Sequence, residues 1–165
     1  METIRLLDCT LRDGGYINDW DFKRKNIRRI MAGLEEAGTD LIEAGFLRDC
    51  AYREDRTLFN SVRELKQILP EGGGRGGYVL MALHDKYDVR KLEENDGTVE
   101  AIRVTFHDYD VDEGLQFGRR VMEKGYRLFV NPINIMGYSD SSLLRLLEKV
   151  RELRPYGFSI VDTFG

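Results

Sequence analysis

The sequence predicts an α/β fold with parallel strands, and three observations carry the prediction. Short apolar runs alternate with stretches of helical period along the whole chain. Helix-ending signals fall between the two kinds of segment. At 165 residues the chain suits about one domain, long enough to bury a real core. Strands are expected at 4 to 9 (Ile4, Leu6, Leu7), 40 to 46 (Leu41, Ile42, Phe46), 77 to 83 (Tyr78, Val79, Leu80, Met81), 100 to 106 (Ile102, Val104, Phe106), 127 to 133 (Leu128, Phe129, Val130, Ile133) and 157 to 164 (Phe158, Ile160, Val161, Phe164). Between them, Ile27, Ile30, Met31 and Leu34, then Leu58, Val62, Leu65 and Leu69, then Leu143, Leu146, Leu147, Val150 and Leu153 recur at three- and four-residue steps, one apolar face per helix. Gly38 and Gly125 stand where helices would end in a left-handed residue, Pro155 follows the last helix, and Ser139 and Asp140 precede it as candidate caps. Strand, helix, strand crossovers join parallel strands, which leaves an open doubly wound sheet or part of an eight-fold barrel.

Composition narrows the function. The charge balance of 25 Lys and Arg against 29 Asp and Glu is slightly acidic, with no basic stripe, so nucleic acid and anionic membrane surfaces are not expected partners. No apolar run approaches the ~20 residues of a membrane helix, and no basic and apolar leader opens the chain, so a cytoplasmic setting is expected. Cys9 and Cys50 make no disulfide framework and no Cys-x-x-Cys pair. The glycine run from Glu71 to Gly77 precedes a strand, whereas a phosphate cradle follows a strand and opens a helix, so it reads as a connection on the face away from chemistry.

In parallel α/β folds the ends of strands and the loops after them hold the site. The first strand leads into Asp8-Cys9-Thr10-Leu11-Arg12-Asp13-Gly14-Gly15-Tyr16. Glu43 lies inside an apolar strand, where an unpaired carboxylate is costly, so it needs a cationic or hydrogen-bonding partner. Arg12, on a neighbouring strand, is the nearest candidate, in a structural ion pair or a catalytic one. Asp13, followed by two glycines, could present a hard oxygen to a divalent cation, although one carboxylate is not a metal site. His84 and His107 come from different loops at no metal-ligand spacing, Cys9 has no visible base partner, and only Lys86 among the lysines follows a strand, which disfavours a Schiff-base mechanism.

Read together, Leu7 to Tyr16, Ile42-Glu43-Ala44-Gly45-Phe46 and Val161-Asp162-Thr163-Phe164-Gly165 resemble the metal-dependent aldolase and lyase superfamily, which includes hydroxymethylglutaryl-CoA lyase, isopropylmalate and homocitrate synthases and hydroxy-oxovalerate aldolase. The resemblance runs through essentially the whole chain in order. It implies a TIM (β/α)8-type barrel, incomplete here, a divalent metal such as Mg or Mn, and making or breaking of a carbon-carbon bond through an enolate of a small 2-oxo acid. By the same resemblance Asp13 would be a metal ligand, Arg12 would stabilise the enolate oxygen, Glu43 would hold Arg12, and Thr163 would contact substrate or metal-bound water. Tyr16 stands where the hydroxy-oxovalerate aldolases carry a histidine base, and a phenol is a poor base at neutral pH. Asn131 and His107 are weaker candidates for substrate contact.

A complete barrel has eight strands, and the superfamily supplies a His-x-His pair from the seventh; this sequence has six expected strands and no such pair. Residues 1–165 are therefore expected to be a single truncated barrel domain, the front part of a longer polypeptide or a truncated product, with negligible activity alone and open strand edges that invite a second copy. A Claisen-type acyl-CoA transferase and a non-catalytic degenerate fragment that binds a ligand or subunit are the alternatives.

Overall fold

A computed structural model describes residues 4–70 and 77–163. The stretch from Glu71 to Gly76, most of the glycine run, and the final Phe164 and Gly165 lie outside the described residues. The first strand, β1, is Leu7–Asp8, shorter than the expected 4 to 9. Its side chain explains the early end: Asp8 Oδ1 accepts the Thr10 N–H at 2.9 Å and Oδ2 accepts the Thr10 hydroxyl at 3.0 Å, turning the chain into the helical turn α1, Thr10–Asp13. Arg12 therefore sits on a helical turn rather than on a strand. A second turn, α2, spans Gly15–Asn18, and a long helix, α3, spans Arg24–Glu36, burying Ile27 and Met31 and closing at Gly38 with φ 78°.

The strand β2, Leu41–Leu47, is buried along its whole length. A short strand, β3, Leu58–Phe59, takes Leu58 out of the helix expected there, and α4 is confined to Val62–Lys66, with the Ser61 hydroxyl accepting the Glu64 N–H. The strand β4, Gly77–Leu83, reaches β5, Ala101–Phe106, through an irregular segment whose one helical turn is Val89–Lys91. Then follow α5, Val111–Glu123, β6, Arg127–Pro132, α6, Asp140–Leu153, and β7, Gly157–Phe158. Ser139 caps α6 by accepting the Ser142 N–H at 3.2 Å, and Arg154 closes it in the left-handed region before Pro155. The expected strand 157 to 164 shortens because β7 pairs with β6 alone; beyond it Ile160 is 80% exposed.

Every strand pairing is parallel, in the order β1-β2-β4-β5-β6-β7 with β3 beside β2. Neighbours along the chain are neighbours in the sheet, with no switch point, which selects the barrel arc over the doubly wound sheet. The arc is strongly curled. Three sheet steps separate β1 from β5, about 14 Å if flat at about 4.8 Å per step, yet Arg103 of β5 reaches Cys9 beyond β1 at 3.5 Å. At the other end of the strands, Arg5 pairs with Glu100 at 2.8 Å and meets the Tyr156 hydroxyl at 3.4 Å, tying the approach to β1 to the approach to β7.

Alternation divides the strands between two faces. Ile42, Leu80, Ile102, Val104, Phe106, Leu128 and Val130 join the main core, under α3, α5 and α6. The opposite, concave face carries Leu41, Val79 and Ala101 near the strand starts and Phe46 and Met81 near their ends. Glu43 and Phe46, three apart, share that face because the register against β4 shifts between Glu43 and Gly45. Gly45 has φ 150°, and a Cβ there would run into the Thr57 carbonyl. Gly45→Ala is accordingly expected to lower stability by about 2–4 kcal/mol, read as a reduced urea midpoint at an unchanged denaturant slope.

Candidate active site

The bulge and the turn after β1 bring four polar side chains together between the apolar layers of the concave face. Glu43 is fully buried. Its Oε2 accepts from Arg12 Nε at 2.6 Å and its Oε1 from Arg103 Nη1 at 2.7 Å, so one carboxylate grips two guanidinium groups. Arg103 is itself 7% exposed and donates from Nη2 to Asn131 Oδ1 at 2.6 Å. Its Nε is buried with no hydrogen-bond partner among the described residues. Arg12 Nη1 donates to Asp13 Oδ1 at 2.6 Å at the rim.

The backbone of the turn is fixed from below. Thr57 Oγ1 donates to the Leu11 carbonyl at 2.7 Å, and Trp20 Nε1 donates to the Arg12 carbonyl at 2.8 Å. The Arg12 guanidinium lies 5.9 Å from the centre of the Phe46 ring, a cation–π contact on its apolar side. Burial works against the Arg12 charge, but the Glu43 carboxylate, by charge and hydrogen bond, and then Asp13 outweigh it, so proton loss from Arg12 is made harder than usual. Cys9 is pushed up to about 11, by burial first and then by the Glu43 charge, with Arg103 and Arg12 pulling the other way. It stays a neutral thiol at physiological pH, in keeping with the lack of a visible base partner for it in the sequence.

Of the residues expected from sequence, Arg12, Asp13, Glu43 and Asn131 meet in this network. Tyr16 lies beside it, packed edge-on against Trp20 and Phe46 at centroid distances of 4.9 and 6.3 Å. His107 makes its contacts elsewhere: its ring stacks on Tyr109 at 4.9 Å and its Nδ1 is 3.8 Å from Asp110, whose other bond is to His84 Nε2 at 2.8 Å. His84 lines a groove of about 460 Å³ with Asp85, Arg90, Glu113 and Arg120, and none of Arg12, Glu43 or Arg103 forms its walls. Thr163 accepts the Asn134 N–H at 2.7 Å on an exposed loop. Lys86 pairs with Asp85 at 2.7 Å. Arg103 was not expected. The signal was the one that marked Glu43, a charged residue inside an apolar strand, here in Ala101-Ile102-Arg103-Val104.

Asp13 is the candidate for holding a divalent cation. Its carboxylate is 66% exposed and already accepts from Arg12, and among the described residues no group of three His, Cys, Asp or Glu side chains is placed to hold a metal ion. One oxygen ligand does not satisfy a hard cation that wants six or more, so the described residues do not fit a complete metal site.

A curled arc of parallel strands, neighbours in chain order, with a polar cluster inside its concave face defines the class: an incomplete barrel of the TIM type. The crystal structure of the N-terminal domain of a candidate aldolase from Bacteroides vulgatus has the same fold, with a TM-score of 0.65 and 19% identity, covering 95% of this chain and 62% of that one. A 4-hydroxy-2-oxovalerate aldolase from Geobacillus genomosp. 3 is 43% identical over 42 residues, which is 26% of this chain and 12% of that enzyme. These findings agree with the resemblance to the front part of aldolases read from the motifs. The chain spans less than two thirds of both. No family model matches it.

Glu43→Ala would leave two buried guanidinium groups without their shared carboxylate, and a loss of about 3–5 kcal/mol in unfolding free energy is expected from chemical denaturation. Manganese titrated calorimetrically into the chain is expected to bind no tighter than about 0.1 mM, the weak regime of sites with few protein oxygens; a tighter site abolished by Asp13→Asn would reveal ligands beyond those described.

Proposed function

We propose that the concave face is the oxo-acid half of an aldolase-type site, belonging to an enzyme that cleaves or forms a carbon-carbon bond next to a carbonyl. The observation that carries this reading is the charge count of the buried cluster. Arg12 and Arg103 share the single carboxylate of Glu43, and among the described residues Arg103 Nε has no partner. A buried donor on a cation, left unpaired, is costly unless an acceptor arrives, and an anionic oxygen meets both the charge and the hydrogen-bond requirement. The names of the two similar proteins support the same direction.

In this reading the carboxylate of a 2-oxo acid accepts from the Nε–H of Arg103, and the oxygen of its carbonyl lies toward Arg12. When the bond beyond the carbonyl's neighbouring carbon breaks, its electron pair becomes an enolate, and the negative charge develops on that oxygen. Guanidinium groups already fixed by Glu43 and Asn131 stabilise that charge without reorganising, which is how preorganised donors lower a barrier. Asp13 is the residue that would offer a divalent cation an oxygen. The proton on the departing hydroxyl needs an acceptor, and no residue in the network fills that role. The chain alone is therefore proposed to bind an oxo acid without turning it over.

A small-molecule oxo acid is the partner this reading implies. No helix among the described residues is long and apolar enough to cross a membrane. The free thiols Cys9 and Cys50 suit the reducing cytoplasm proposed as its setting, and the outer edges of β1 and β7 suit association with a second copy.

The test is calorimetric titration of oxalate, a planar mimic of the enolate, and of pyruvate into the chain and its Arg103→Gln variant. Oxalate is expected to bind, with affinity falling at least about tenfold in the variant, the loss of one charge-assisted contact. Equal affinity in the two proteins would remove the reading.

A further inference from the structure

The wall of the site toward α2 is aromatic, and its outermost ring is left open to solvent. Phe46 and Trp20 are buried and packed edge-to-face at 5.6 Å, with Met81 in the same cluster and Leu83 packed against it. Tyr16 lies on Trp20 and Phe46 and is 65% exposed. Phe46 neighbours both the Arg12 guanidinium, 5.9 Å from its ring centre, and the Tyr16 ring, at a centroid distance of 6.3 Å. A ligand held by its acid end at the arginines therefore has this aromatic corner beside it.

The corner is held in place at a cost. Asp19 and Trp20 both have positive φ, 55° and 58°, outside the comfortable range for side chains of their size. The Trp20 backbone nevertheless stays in register because its N–H donates to the Gly15 carbonyl at 2.9 Å and its own carbonyl accepts from Thr57 at 3.1 Å. Gly15 itself is required, since a Cβ there would run into the indole. All these contacts fix the ring plane on which Tyr16 rests, while Tyr16 receives no comparable cover.

A phenol ring held by edge contacts to two buried rings and 65% exposed is a surface for another apolar group. From this we infer that the site takes a 2-oxo acid whose far end is apolar and bulky, aromatic or branched, with Tyr16 as the residue that sets this preference. The inference rests on the oxo-acid reading above and adds the character of the substituent. Apolar contact, not the hydroxyl, supplies the preference, because a ring face recognises another ring by area and offset stacking.

The test compares pyruvate, 4-methyl-2-oxopentanoate and 3-phenyl-2-oxopropanoate by isothermal titration calorimetry on the full chain and on Tyr16→Ala and Tyr16→Phe. The phenyl acid is expected to bind about tenfold more tightly than pyruvate, with the branched acid between them. Tyr16→Phe is expected to keep that ratio and Tyr16→Ala to bring it close to one. The emission of Trp20, the single tryptophan, reports whether each variant keeps its fold. A wild-type ratio near one, with pyruvate still bound in a manner dependent on Arg103, overturns the inference and leaves the oxo-acid site standing. So does a ratio that survives Tyr16→Ala. Binding of none of the three acids overturns both.

Discussion

A carboxylate with no exposure to solvent holds two arginines from opposite sides of a curled sheet, and the geometry of the concave face follows from that arrangement. Glu43 on β2 meets Arg12 from the turn after β1 and Arg103 from β5, across two intervening sheet steps. Ion pairs this deep are expensive to dehydrate, and they persist only where the geometry is fixed and further hydrogen bonds are made. The fold supplies both. Curl brings β5 over to the first strand, the Ala44–Gly45 irregularity keeps Glu43 and Phe46 on one face, and Asn131 on the next strand takes a second N–H of Arg103. Loss of curl would set β5 about 10 Å from β2, two sheet steps away, and would draw Arg103 away from Cys9 beyond β1, so sheet shape and site chemistry are linked.

Much of this was legible in the sequence, for reasons that differ from residue to residue. Strands β2, β4, β5 and β6 are continuous apolar runs because both faces are covered, and such runs are conspicuous. Glu43 stood out as a charge within one, and its need for a cation pointed to Arg12 correctly. The same logic applied to Arg103, but an arginine with a long aliphatic stem in a strand also reads as a side chain reaching out to water, so the signal is weaker. Boundaries failed where local polar bonds or missing neighbours decided them: Asp8 ends β1 by bonding to Thr10, and β7 is short with a neighbour on one side alone. Helix α5 showed poorly because Gly114 and Gly118 interrupt it. They are there for packing, since a Cβ at either would collide with Phe106 or Leu128.

The histidines illustrate the opposite case, where placement after a strand promised more than it gave. His84 and His107 do follow β4 and β5, yet both converge on Asp110, which also accepts the His107 N–H at 2.6 Å and begins α5. Their shared carboxylate ties two loops and a helix start together. Both histidines stand at strand ends, where such folds place their chemistry, and their contacts there are with Asp110. Tyr16 has its place set by packing, edge-on against Trp20 and Phe46.

Whether the buried cluster is structural or functional turns on its stoichiometry. A carboxylate that only needed neutralising would be satisfied by one guanidinium, and a second buried cation adds a dehydration cost that the first pair does not repay. The second arginine is also the better buried of the two, with side-chain exposures of 8% for Arg103 and 14% for Arg12. Asp13 does not restore the balance inside, because its carboxylate is largely in water, where its field is screened. Inside, two guanidinium groups thus face one carboxylate, and among the described residues the Arg103 Nε–H has no acceptor. An anion seated there would supply the missing charge and the missing acceptor together, with the rings of Phe46 and Tyr16 beside it.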